Sequence, residues 1–285
     1  MDYQPIVIIG APRSGTNMLR DVLSKVEGVA TWPCDEINYI WRHGNVRYPS
    51  DELPIEAAGE SVRSYIHAQF DWVARRYRAH TVVEKTCANS LRVPFVDAVI
   101  PNARYLFIRR DGLDAVGSAM KRWKAKLDIP YLMRKTRFVP LSDLPYYGGR
   151  YLWNRLYRSL SRVERLAFWG PQLDGMDELL KKHSLDEVCA LQWQACVEKA
   201  ADAFAGMSKE RWLEIPYEAF VDSPESEFVR ILTFLGIDAT PEEIAKAVEG
   251  VRSDSVGKGR VALDEASLQR LDQLVHNTLA RYGYA

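Results

Sequence analysis

Ile6-Val7-Ile8-Ile9-Gly10-Ala11-Pro12-Arg13-Ser14-Gly15-Thr16-Asn17 sets the reading of the whole chain. Its four consecutive β-favouring apolar residues read as a strand buried on both faces. A helical period follows at once, from Met18 to Val26. Between the two, a glycine-framed turn aims several backbone N–H groups and the positive end of a helix dipole at one spot, and that spot suits a phosphate. In the loop of nucleoside-triphosphate kinases the last glycine is followed by Lys and then by Ser or Thr. Thr16 and Asn17 stand there instead, and the cation is Arg13 inside the loop. A magnesium-dependent kinase or other nucleoside triphosphatase is therefore the weaker alternative, and a non-catalytic nucleotide-binding module stays open.

Outward from this loop, apolar runs alternate with helical periods. Thr81 to Val83 precedes a helix near Phe95, Tyr105 to Ile108 precedes Leu113 to Trp123, and a long amphipathic helix spans Glu60 to His80. Farther on come a helix from Leu185 to Met207, a strand from Trp212 to Ile215, a helix from Glu225 to Leu235 stopped by Gly236, and a helix from Leu263 to Tyr282. The alternation predicts an α/β fold, a P-loop-type three-layer sandwich with a central parallel β-sheet flanked by helices. With no repeat or linker, residues 1–285 read as a single domain. One stretch departs from the pattern: Trp123 to Arg165 holds ten Lys or Arg against three acids, with eight aromatics and three prolines (Pro130, Pro140, Pro145). It is expected to belong to a helical, basic and aromatic insertion over about 123–185.

Composition excludes several classes. With 47% hydrophobic and 27% charged residues the chain is neither disordered nor collagenous, and 38 basic against 38 acidic residues give no bulk attraction for nucleic acid or anionic lipid. Cys34, Cys87, Cys189 and Cys196 form no C-x-x-C pair and have no His at ligand spacing, so no metal site is expected. Neither a secretory leader nor an 18-residue apolar run is visible, and a cytoplasmic location is expected.

A second basic strand end, Arg109-Arg110-Asp111-Gly112, leads into a helix carrying Ser118 and Arg122. Arg110 and Ser118 lie a little over two helical turns apart, which makes a second anion site beside the first loop, where open α/β sheets bind ligands. Two anion sites suggest a ligand with phosphates at both ends.

Pro12-Arg13-Ser14-Gly15-Thr16, the Arg110 to Ser118 segment, Ile215-Pro216-Tyr217-Glu218 with Phe234-Leu235-Gly236, and Ser255-Val256-Gly257-Lys258-Gly259-Arg260 follow one another in this order. Together they resemble the 3′-phosphoadenosine-5′-phosphosulfate (PAPS) dependent sulfotransferases, nearest the bacterial and the tyrosylprotein or heparan-type branches. The resemblance implies that Arg13, Ser14, Gly15, Thr16 and Asn17 hold the 5′-phosphosulfate, Asn17 standing where many members have a second Thr. It implies a 3′-phosphate site at Arg110 and Ser118, with Arg122 an additional basic contact and Tyr217 against the nucleotide. Lys258, Gly259 and Arg260 match a late loop that closes over it. For the base it points to Glu36, after the second strand, with Arg13 and Lys85 stabilising the departing phosphate oxygen and Glu84 supporting. Glu84 and His43 are the alternative bases. Adenosine 3′,5′-bisphosphate (PAP) would be the co-product and no metal would be needed. The acceptor would be a hydroxyl of a carbohydrate, lipid-linked or other small molecule. The insertion's cations and aromatic faces suit sugars, aromatic rings or anionic acceptors, and also peripheral contact with a membrane surface. Phe168-Trp169-Gly170-Pro171 reads as an acceptor wall or a structural corner.

Overall fold

Ile6, Val7, Ile8 and Ile9 are all completely buried, as a strand covered on both faces must be. The computed structural model describes residues 3–123, 137–160 and 169–285, with only some of the side chains between 150 and 160. Part of the insertion's basic, aromatic stretch, within 124–136 and 161–168, lies outside them. The strands are β1 (Gln4–Ile9), β2 (Val29–Ala30), β3 (Thr81–Lys85), β4 (Arg104–Arg109) and β5 (Trp212–Pro216). They form one sheet in the order β2-β3-β1-β4-β5, every pair parallel.

Period-two alternation divides the core. Val7, Ile9, Tyr105 and Phe107 pack on one face, against α3 (Glu60–Tyr77), α5 (Gly112–Trp123), α8 (Leu185–Ala205) and α13 (Glu265–Arg281). Ile6, Ile8, Leu106 and Ile108 pack on the other, against α1 (Thr16–Leu23), α10 (Pro224–Leu235) and α11 (Pro241–Val248). Each such Ile or Phe removed from water contributes on the order of 1.5–3 kcal/mol. The shorter helices α2 (Asn38–Trp41), α4 (Val93–Val99), α7 (Met176–Lys182), α9 (Tyr217–Asp222) and α12 (Lys258–Val261) carry loops past the strand ends.

The predicted elements are present with shifted ends. Helix α1 starts at Thr16 rather than Met18 because Gly15, at φ 88°, turns the chain directly into it. Arg78 adopts a left-handed φ of 53° and stops α3 at Tyr77. In the insertion, α6 (Leu144–Leu160) runs on past Pro145. That proline sits in the first turn, where a missing N–H costs nothing.

Candidate active site

β1 is flanked by β3, to which the chain returns after β2, and by β4 on the opposite side. Loops leaving β1 and β4 therefore diverge, and a cleft of about 880 Å³ opens at the carboxyl ends of β1, β3 and β4.

The first loop is shaped by its backbone. Arg13 has a left-handed φ of 71°, uncommon for a residue with a Cβ. Gly15 packs against the Tyr217 ring so closely that a Cβ would overlap ring carbons. Arg13 Nε donates to Ser118 Oγ at 2.9 Å, and Arg110 Nη1 donates to the Arg13 carbonyl at 3.1 Å. The two anion sites read separately from the sequence thus meet in one wall. Burial, with the nearby Arg122 and Arg110, lowers the Arg13 guanidinium below its usual range, while Cys87 and Asp35 oppose the shift. Such crowding of cations favours an anionic ligand among them. Ser14 Oγ and Asn17 Oδ1 are buried in this loop without a protein partner. The loop therefore contributes backbone N–H groups from the start of α1, the Arg13 guanidinium and the polar side chains of Thr16 and Asn17 to the cleft.

Asp114 organises the second site, and the sequence reading passed it over. It is buried and accepts from Arg110 Nε at 2.9 Å, from the Gly257 N–H at 3.2 Å and from the Gly259 N–H at 2.5 Å. Arg110 and Asp114 stand four apart at the start of a helix, a pairing that could have been read. Arg110 also lies 4.4 Å from the centre of the Tyr217 ring and donates through Nη2 to the Ser255 carbonyl at 2.6 Å. The late loop is pressed onto α5 where Gly117 meets Gly259, and a Cβ on either would enter the other segment's backbone.

Lys258 and Gly259 reach the cleft, but Arg260 does not. Its Nε donates to Asp111 Oδ2 at 2.5 Å and its Nη2 to the Tyr284 carbonyl at 2.8 Å. Residues two apart on a helix face nearly opposite ways, so α12 cannot present both cations to one ligand. Ser14 is likewise not a lining residue; its side chain is fully buried beneath the loop.

Across the cleft, Glu36 Oε1 accepts from Lys85 Nζ at 3.0 Å and from the Cys87 N–H at 3.3 Å. Lys85 is nearly buried: burial favours its neutral amine, but the charge and hydrogen bond of Glu36 outweigh that and leave its pKa above the ordinary value. Asp35, beside Glu36, pairs with Arg20 at 3.6 Å and also lines the cleft. The two alternative bases lie elsewhere. Glu84 is completely buried under the loop, accepting from Thr86 Oγ1 at 2.5 Å and Asn89 Nδ2 at 2.9 Å. His43 is bonded through Nδ1 to Asp143 Oδ2 at 2.8 Å and packs on Tyr65. Trp169, Gly170 and Pro171 close one side, where Gln192 Nε2 donates to the carbonyls of Trp169 and Pro171 at 3.1 and 2.9 Å. Phe168 lies outside the described residues.

Solved structures of the same architecture follow the chain almost end to end. The sulfotransferase domain of the curacin biosynthetic pathway is 13% identical with a TM-score of 0.56, over 99% of this chain and 98% of that one. The sulfotransferase domain of the Synechococcus PCC 7002 olefin synthase is 16% identical with a TM-score of 0.56, over 97% and 94%. A mouse sulfotransferase solved in complex with PAP is 14% identical with a TM-score of 0.52, over 97% and 85%. At these identities the likeness is one of fold, the P-loop-type α/β sandwich expected from the alternation of strands and helices. No curated protein matches the chain in sequence. A family model described as the sulfotransferase family matches residues 5–165 and 154–241, well over half of the sequence, and the chain belongs to that family.

Proposed function

We propose that this protein transfers a sulfuryl group from PAPS to the hydroxyl of a carbohydrate, lipid-linked or other small-molecule acceptor, releasing PAP. The observation that carries the reading is the Arg13–Ser118 bond, which joins the two anion sites across the cleft from the Glu36–Lys85 pair. The residues suit the donor. Gly15, Thr16 and Asn17 line the cleft at the start of α1, Gly15 leaves room for the Tyr217 ring beside them, and three guanidiniums converge. A mouse sulfotransferase of this fold binds PAP, which supports the same choice here.

PAPS supplies an activated sulfuryl group with an anionic leaving phosphate. Glu36, on the cleft wall, takes the proton of the acceptor hydroxyl. Lys85, held as ammonium by Glu36, and Arg13 offset the charge that grows on the departing phosphate oxygen. Arg110, Ser118, Arg122 and Lys258 hold the other phosphate, with Tyr217 and Gly259 shaping that end. Gln192 holds the Trp169–Pro171 turn as a wall on which an acceptor ring can lie. Among the described residues no helix is long and apolar enough to cross a membrane, which fits an acceptor met in water or at a membrane surface.

Calorimetric titration with PAP and with ATP, each with and without magnesium, tests the donor. Metal-independent binding of PAP is expected. A preference for magnesium-ATP would replace this reading with a kinase.

A further inference from the structure

Residues that touch the cleft do not explain why a carboxylate is sealed beneath it. We propose that Glu84 is a positioning residue that fixes the loop bearing Glu36 through two hydrogen-bonded arms. The inference rests on the reading of Glu36 as the base.

One arm runs through Thr86. Its hydroxyl donates to Glu84 Oε1 at 2.5 Å, and its oxygen accepts the Ile37 N–H at 3.2 Å. A hydroxyl has a single proton, so once Glu84 takes it the oxygen can only accept, and Ile37, adjacent to Glu36, is held. The other arm runs through Asn89, whose Nδ2 donates to Glu84 Oε2 at 2.9 Å while its Oδ1 accepts from Arg92 Nε at 2.9 Å. Arg92 Nη2 then donates to Asn38 Oδ1 at 2.5 Å, leaving Asn38 Nδ2 to donate to Asp51 Oδ1 at 3.1 Å. Glu84 thus orients Thr86 through one oxygen and Asn89 through the other, and from them one side-chain path reaches the Ile37 N–H and a second, carried on by the donor-only Arg92, reaches Asn38. Buried networks of this kind hold a single geometry because any reversed member leaves a polar group unpaired.

The charge on Glu84 matters to the brace. Lys85 and Thr86 face it from its own strand end, Arg92 and Asn89 from the turn that follows, and the Trp41 indole from α2. Burial raises its pKa to about 7 against the opposing pull of Thr86, Trp41, Lys85 and Arg92. A protonated Glu84 has one oxygen that donates, and that arm loses its acceptor.

Glu84→Gln tests this, because its amide would turn an NH2 toward the Asn89 NH2 or the Thr86 hydroxyl. We expect kcat to fall on the order of 10- to 100-fold with KM for PAPS little changed. Wild-type turnover should fall as pH drops below 7 while that of the variant does not follow this step, and hydrogen exchange at the Ile37 amide should accelerate. Thr86→Val, which cuts only the first arm, should accelerate the same amide with a smaller loss of kcat, and it serves if Glu84→Gln does not fold. Unchanged Ile37 exchange in both variants would overturn the brace. Faster exchange with undiminished turnover would uphold the brace and overturn Glu36 as the base, while PAP titration reports separately on the donor site.

Discussion

At the ends of β1 and β4 the cleft is held by backbone: Gly15 against the Tyr217 ring, Gly117 against Gly259, and peptide N–H groups on Asp114. At the ends of β2 and β3 it is held by side chains, from Arg42 and Asp51 through Asn38, Arg92 and Asn89 to Glu84. Close backbone approach requires glycine and tolerates almost no substitution, so it fixes the walls of a site that grips a rigid nucleotide. A side-chain network can hold a carboxylate in register while leaving its charge and proton adjustable, which suits the half where a proton must move.

The largest expected effect separates the halves. Glu36→Gln should lower turnover by about 10²–10⁴-fold and leave the calorimetric affinity for PAP unchanged, since Glu36 faces Lys85 rather than the Arg110 site. Equal losses of turnover and PAP binding would show that the halves are not independent. Next, Arg110→Ala should weaken PAP by on the order of 30- to 1000-fold, because it removes a buried cation and strands Asp114. Arg110→Ala/Asp114→Ala should recover stability, measured by chemical denaturation, but not PAP affinity.

The two halves were unequally legible in the sequence. Strands, loop and Arg110–Ser118 pairing could be read because each is local: a run of Ile and Val, glycines at fixed offsets, two residues on one helix face. Glu36 and Lys85 were named only through resemblance, since nothing local shows that residues 49 apart share a hydrogen bond. The spacing of Arg110 and Asp114 is local and legible, but the grip of Asp114 on a late loop about 145 residues away is not. Asp51 had no signal, as a lone acid in a polar stretch reads as solvated. Glu84 looked like a candidate base because a strand-end carboxylate reads the same whether it faces the cleft or lies sealed below it. Arg260 is grouped with Lys258 by the resemblance of the late loop, and helical phase separates them.

A third prediction concerns the adjustable charge. Glu84 is buried with its pKa raised from 4.5 to about 7, so the folded protein holds this proton more tightly than the unfolded chain. Between these values the unfolded state binds fewer protons, and the group's contribution to stability falls as pH rises, by on the order of 1–3 kcal/mol over the window. Thermal unfolding between pH 4.5 and 8 should show this slope in the wild type and a flatter one in Glu84→Gln. Identical slopes would place the proton elsewhere.

The smallest effect sharpens the boundary of the nucleotide half. Arg260 is spent on Asp111 and the Tyr284 carbonyl, and Tyr284 in turn donates to Glu218, which accepts the Asp111 N–H. That ring ties the C-terminal segment to the end of β4 behind the nucleotide site, not in it. Because the pair is partly exposed, Arg260→Ala should cost only about 0.2–1 kcal/mol in denaturant titrations and should change PAP affinity less than Lys258→Ala does. A loss of PAP affinity in Arg260→Ala as large as in Arg110→Ala would mean that α12 turns when nucleotide binds. The late loop would then be held as loosely as the Glu36 loop is held firmly, and the contrast between the two halves would reverse.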